Sequence, residues 1–299
     1  MNDAIEALLR EGEPVAPAIG AVVMRGGVEL YTSNPDHVFD LASLTKPLCT
    51  AELAMRAVVA GVLDLDRGHA ILPEGVTIRH LLQHAAGYPA WRALWDEGDR
   101  AAIIRAAIRT PLVNAPGTVH TYSDLGFIAL GAVLEAEGGA RLDALWKGSL
   151  RWGDATAEPT FCEERKVELR GEVHDRNCAA MDGVGPHAGL FGSARETATA
   201  AARWLVEVPL AARAFTERGP GGHVLGWDTP FPEGQSSSGA RPPAGLVGHL
   251  GFTGTAVWMR PSDGLIAVLL TNRVMRRGGT QEIRNLRRTW FQAVWDRFA

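Results

Sequence analysis

Lysine is scarce in this 299-residue chain: of 30 Lys and Arg residues only Lys46, Lys147 and Lys166 are lysines. Cysteine is as rare. Cys49, Cys162 and Cys178 are too few and too oddly numbered for a disulfide framework, which points to free thiols in a reducing compartment. No apolar run approaches the roughly 18 residues that a membrane span needs. The opening Met1–Glu6 has no basic stretch leading into an apolar one, so no signal peptide is read and a cytoplasmic location without a membrane partner is expected. Neither sign of charge dominates. The 30 basic residues face 34 acidic ones for a net −4, which argues against a nucleic-acid partner. Gly-x-Ser-x-Gly is missing too, which speaks against an α/β-hydrolase.

What remains is ordinary globular material, 46% hydrophobic and 21% charged, enough for one large or two medium domains. Ala4–Arg10 reads as a short amphipathic helix. Ala18–Met24 reads as a buried strand, turned by Gly26-Gly27 into a returning strand at Val28–Tyr31. From Pro47 to about Ala136 the pattern is helical, with Leu48, Leu53, Val58, Val59 and Val62 on one expected stripe. Thr77 caps a second helix, Asp99–Ile108 is a third and Ser123–Glu137 a fourth. Residues 150–185 yield no assignment. Ala194–Val208 is helical, Gly219–Gly222 and Pro232–Pro243 are loops, and Leu246–His249, Thr255–Met259 and Leu265–Leu270 are strands before a closing helix at Gln281–Phe298. Strands at both ends with helices between predict an α+β fold: an antiparallel sheet built from both termini and flanked by helices, with a mainly helical insertion. The expected division is 1–46 with 220–299 for the sheet and 47–219 for the insertion.

Three short segments can carry chemistry. In Ser43-Leu44-Thr45-Lys46 the Ser and Lys lie one helical turn apart, so the amine can reach the hydroxyl. Pro47 belongs in a first turn, which puts Ser43 at the positive end of a helix beside unpaired backbone N–H groups. With nine serines and three lysines a chance Ser-x-x-Lys arises roughly one time in ten. Tyr122-Ser123-Asp124 follows a Pro-Gly turn and opens a helix, so its phenol can face a cleft. Beside a cation a Tyr is expected to fall in pKa, and a desolvated Lys likewise, so that Lys46 and Tyr122 share a proton as base for Ser43. By itself the segment reads more readily as a core-edge Tyr with a capping Ser or Asp. Gly248–Thr255 is a glycine-rich strand edge able to approach a substrate by its backbone.

Taken in order, these segments resemble the serine β-lactamase and penicillin-binding-protein superfamily, most of all its class C β-lactamase and family VIII esterase branch. Ser43-x-x-Lys46 matches the nucleophile motif, Tyr122-Ser123-Asp124 the Tyr-x-Asn motif, and His249-Leu250-Gly251 the Lys/His-Thr-Gly motif. Ile78–Pro89, Gly171–Asn177 and Gly185–Ser193 are similar to further stretches of its hydrolases, so the likeness spans roughly residues 15–298. The resemblance implies that Ser43 is acylated while Lys46 and Tyr122 move protons. It implies an oxyanion hole from the backbone N–H groups of Ser43 and Phe252, and substrate contacts from Asp124, His249 and Gly251. No cofactor and no metal is implied. The partner is a small-molecule ester or amide, and the chain a monomer or small homo-oligomer.

Three departures bear on specificity. Asp124 stands for the family's Asn, His249 for the usual Lys, and Leu250 for a hydroxyl residue, all of which weaken recognition of an anionic β-lactam. Nor is there a deacylating Glu motif of the class A type. The expected activity is therefore a serine hydrolase of carboxylic esters or small D-amino-acyl amides, with a β-lactamase or D,D-peptidase as alternative. A non-catalytic binding or regulatory member of the fold is the alternative of another class. His80 and His84 have zinc spacing on a helix but lack a Glu base, and read as core or capping residues. His174, Asp175 and Cys178 fit no cysteine-nucleophile pattern. Trp91 and Trp95 either line a cleft for an acyl group or pack the helical part.

Overall fold

The computed structural model describes residues 3–12, 14–230, 236–276 and 279–299. The first part of the expected loop Pro232–Pro243, residues 232–235, lies outside them. Helix α1 (Asp3–Gly12) leads to strands β1 (Ile19–Arg25), β2 (Val28–Ser33) and β3 (Val38–Asp40). Next come α2 (Glu52–Val59), α3 (Ile78–Leu82), α4 (Arg100–Arg109), α5 (Asp124–Gly138) and α6 (Leu142–Leu145). Strands β4 (Arg151–Trp152), β5 (Thr160–Cys162) and β6 (Val167–Leu169), helix α7 (Arg176–Ala180), β7 (Leu190–Ser193), α8 (Ala194–Val206) and α9 (Ala211–Thr216) follow. The chain closes with β8 (Val247–Leu250), β9 (Ala256–Arg260), β10 (Leu265–Thr271) and α10 (Thr280–Phe298).

The main sheet has the order β2-β1-β10-β9-β8 and is antiparallel throughout. Its centre joins the two chain ends: Ile19 lies opposite Thr271 and Arg25 opposite Leu265. Both faces are buried, as side-chain alternation along a strand permits. Ala21, Val23, Leu265, Ala267, Leu269 and Trp258 pack under α1 and α10 with Trp290, Phe291 and Trp295. Val22, Met24, Ile266, Val268 and Leu270 face the larger core shared with α2, α5 and α8. Each such aliphatic or aromatic side chain stabilises the fold by about 1.5–3 kcal/mol. Gly26 and Gly27, at φ 55° and 83°, make the β1–β2 turn that only positive φ at both positions allows. Among the described residues no helix is long and apolar enough to cross a membrane.

Local signals explain the helix starts. Thr77 accepts from the N–H of His80 while the His80 ring accepts from Thr77 N–H. Asp99 and Ser123 cap α4 and α5. Helix α5 is buried on every side from Leu125 to Leu134, so it forms the axis of the helical part.

Three expectations change. The stripe ending at Val62 forms only in part: Leu48 is buried and Leu53 and Val58 are half-buried, but Val59 is exposed and α2 ends there, short of the exposed Val62. Cys49, Ala51, Ala54 and Met55 complete the buried face. Residues 150–185 contain the short strands β4–β6 and α7; their two- and three-residue strands are too brief for a periodic signal. Helix α8, expected in the helical insertion, packs on β1 and β10, so the chain returns to the sheet before residue 220.

Candidate active site

The chain leaves β3 through a tight turn held by buried polar contacts. Ala42 has φ 49°, an unusual value for a residue with a Cβ, and its N–H donates to Asp40 Oδ1 at 2.8 Å. Asp40 Oδ2 accepts from His174 N–H at 2.7 Å. The turn is tied to the β8–β9 connection by Thr253 Oγ1 donating to Asp40 O at 2.8 Å and Thr255 Oγ1 to Leu41 O at 3.0 Å. Ser43 follows in a 3-10 turn, Ala42–Leu44, and Lys46 opens the π-helical turn with Pro47 behind it.

Lys46 has no exposure to solvent. Its Nζ donates to Ser43 Oγ at 2.9 Å and to His187 O at 3.0 Å, and lies 2.7 Å from Asp124 Oδ1. It sits 5.0 Å from the centre of the Tyr122 ring. Lys46 and Ser43 both lie close enough to the Tyr122 phenol to act against its burial. Ser43, Lys46, Tyr122 and Asp124, from two distant segments, thus meet in one cluster.

The expected fall in the pKa of Lys46 and Tyr122 does not occur. Burial acts to lower Lys46, but the Asp124 carboxylate and Tyr122 outweigh it and hold the ammonium above its ordinary value. Burial raises Tyr122, and Lys46 only partly offsets that while Asp124 adds to it. For Lys46 the reason is the acid at position 124, which supplies a negative charge that an amide would not; for Tyr122 it is burial first, with that acid adding to it.

His249 lies at the end of β8, buried, with its pKa pushed down to about 3 by burial and by Lys46. Its Nδ1 bonds the carbonyl of Leu250 at 2.9 Å. A carbonyl only accepts, so Nδ1 carries the proton and Nε2 is an acceptor, buried without a partner. Gly251 is required by space, since a Cβ there would come within 2.0 Å of Thr255 Oγ1 and 2.7 Å of Leu41 O. The N–H of Phe252 has no backbone acceptor among the described residues, and its ring is 62% exposed at the site mouth.

Two cavities meet at Ser43, Asp124 and Phe252. One, of about 310 Å³, is lined by Trp91, Trp95, Glu164, His174, Asp175 and His187, so the two tryptophans line a cleft. The other, of about 510 Å³, is lined by Tyr122, His249, Asp228, Arg273, Arg284 and Arg287. Arg287 is buried; it donates to Gly251 O at 2.9 Å and Thr255 O at 2.7 Å, and its Nε has no partner. Burial, Arg273 and Arg284 lower it to about 9. Among the described residues none of the three arginines forms an ion pair with a carboxylate.

Sequence reasoning missed these arginines, along with Asp40, His187 and a ring cluster of His84, His120 and His223. No motif announces them, because each reaches the site from a remote segment. His80 and His84 do not converge. His80 belongs to the α3 cap, and His84 Nδ1 accepts from Ser123 N–H at 3.0 Å. Cys178 is buried, raised well above the ordinary thiol value by burial, and bonded to Ala188 O. Among the described residues no group of three or more His, Cys, Asp or Glu is arranged to hold a metal ion.

The beta-lactamase family model matches residues 2–288. The chain belongs to the beta-lactamase family. Its function is accordingly of the serine-hydrolase type. This family member is 28% identical to an N-acetylmuramyl-L-alanine amidase of Bacillus subtilis (strain 168), over 85% of this chain and 71% of that one. Its fold is shared with a beta-lactamase from Mycobacterium bovis, TM-score 0.71 and 22% identity over 98% of each chain. It is also similar to SurE, solved with D-Leu, with TM-score 0.70 and 26% identity over 95% of this chain and 74% of that one.

Proposed function

We propose that the chain hydrolyses a small D-amino-acyl amide or ester through an acyl-enzyme on Ser43. The observation that carries this reading is the 2.9 Å contact from Lys46 Nζ to Ser43 Oγ at the junction of two cavities. At rest the Lys46 ammonium and the Tyr122 phenol are both protonated. Loss of the phenol proton gives a phenolate stabilised by the adjacent ammonium. That phenolate takes the proton of Ser43 as Oγ bonds to the substrate carbonyl carbon. The backbone N–H groups of Ser43 and Phe252 receive the developing oxyanion. The leaving group departs with the proton from Tyr122, and water then cleaves the ester in the reverse sense.

Arg273, Arg284 and Arg287 support a carboxylate on the leaving group, since three guanidinium groups without an acid partner favour an anion between them. They stand in for the missing Lys and hydroxyl of the third motif. The name of the B. subtilis relative and the D-Leu bound to SurE support an amide built on a D-amino acid. A β-lactam, which also carries a carboxylate, is the second reading, and the same arginines favour it.

The test is hydrolysis of p-nitrophenyl acetate and D-alanine p-nitroanilide, with fluorophosphonate labelling, by wild type and Ser43→Ala. Labelling and hydrolysis that vanish together in the variant, a loss of roughly a thousandfold or more, support the reading. Equal activity in both proteins overturns it. Turnover of nitrocefin faster than of either substrate moves the reading to a β-lactamase.

A further inference from the structure

The two cavities that meet at Ser43 carry opposite charge. On the His249 side three arginines face only Asp228, which burial holds at about 7. On the tryptophan side Asp124 is neutralised by Lys46 at 2.7 Å, which leaves Glu164, Asp175 and Arg176 as the charged lining. The guanidinium of Arg176 is stacked 3.7 Å from the centre of the Trp95 ring. Glu164 is exposed and makes no ion pair among the described residues.

The hydrogen bonds of this lining leave acceptors unpaired. Asp175 receives Cys178 N–H at 2.7 Å and His187 Nε2 at 2.9 Å, both on Oδ1, so Oδ2 has no partner among the described residues. Burial acts to raise Asp175, but His187 outweighs it and holds the carboxyl well below its ordinary value. His187 is only 1% exposed, and its Nδ1 is buried without a partner. His174 Nε2 donates to Phe161 O at 3.1 Å. Carboxylates and the face of Trp91 have one chemical complement, an N–H-rich cation.

We infer that the tryptophan-side cavity takes a free amino group, so that the substrate is a short peptide unblocked at both ends. Its ammonium lies between Glu164 and Asp175 and its carboxylate among the arginines. Ser43 Oγ forms the bond to the carbonyl carbon between them, the C–N bond breaks, and the new amine keeps the proton that left Ser43. This rests on the serine-hydrolase reading and narrows its substrate to zwitterions.

The test is protection of Ser43 from fluorophosphonate labelling by D-Ala-D-Ala, N-acetyl-D-Ala-D-Ala, D-alanyl-D-alaninamide and the doubly blocked peptide. Acetylation is expected to weaken protection by about tenfold or more. In Glu164→Gln, whose side chain is exposed and whose melting temperature checks the fold, that ratio falls to about threefold or less. In Arg284→Gln the acetylation ratio stays while the amidation ratio collapses. N-acetyl-D-Ala-D-Ala protecting as well as the free peptide, or no peptide protecting at all, overturns the inference and leaves the hydrolase reading standing. A folded protein that does not label at Ser43 overturns both.

Discussion

Asp124 stands 2.7 Å from Nζ of Lys46, a lysine with no solvent exposure, at a position where the Tyr-x-Asn pattern has an amide. That one carboxylate sets the resting charge of the site. It keeps Lys46 an ammonium and helps to keep Tyr122 a phenol, so on the proposed mechanism the phenolate that takes the proton of Ser43 forms only as pH rises.

Asp124→Asn should therefore move the rate profile toward acid. Both Lys46 and Tyr122 lose an interaction that raises them, and the rising limb of kcat/KM shifts down by about one pH unit or more. The variant also leaves a buried ammonium unpaired, at a cost of about 3–5 kcal/mol near neutrality. That loss shrinks as pH rises, because the unpaired amine can become neutral. Urea unfolding at pH 7 and pH 10 checks the second part, and a limb that stays in place contradicts the first.

His249 is held at about 3, so it is neutral throughout the working range. His249→Gln, which keeps an acceptor near the same place, should leave the shape of the kcat/KM profile between pH 5 and pH 9 unchanged. A limb lost in the variant would assign that limb to His249.

Asp228 should govern the affinity of the arginine cavity for carboxylates. Burial raises it to about 7, so it is mostly neutral below that pH and anionic above it. Burial lowers His120, His223 and His249 around it, with His223 Nδ1 at 3.4 Å from Asp228 Oδ1, and Arg287 discharges only near 9. Inhibition by D-Ala-D-Ala should weaken several-fold as pH rises from 6 to 8, on the order of a unit charge at cavity distance. Asp228→Asn should flatten that dependence.

Gly251→Ala places a methyl within 2.0 Å of Thr255 Oγ1 and 2.7 Å of Leu41 O. Overpacking of this kind costs about 1–3 kcal/mol. Because Leu41 leads into the Ser43 turn, Ser43 labelling should fall by more than the stability loss accounts for. Parallel melting and labelling rates separate the two effects.

The motif residues were legible because their signals are local. Ser43 and Lys46 are one turn apart, Thr77, Asp99 and Ser123 cap the helices that follow them, and the apolar runs of β1 and β10 announce the sheet centre. The tightness of Ala42 was not legible, since its φ of 49° is imposed by Asp40 and by Thr253, more than two hundred residues away. The inward face of the helix after Lys46 was misread because the small Ala51 and Ala54, with Met55, take the buried positions and not the larger Val59 and Val62.

The sequence by itself determined the antiparallel sheet from both termini, the helix starts, and the order of Ser43, Lys46, Tyr122 and His249. Each of these depends on residue types within a few positions of one another. Only the tertiary structure decided the charge states and the cavities. Desolvation and Coulomb interactions act over a few ångströms in space, and His187, Asp175, Arg273 and Arg287 reach those distances through folding alone.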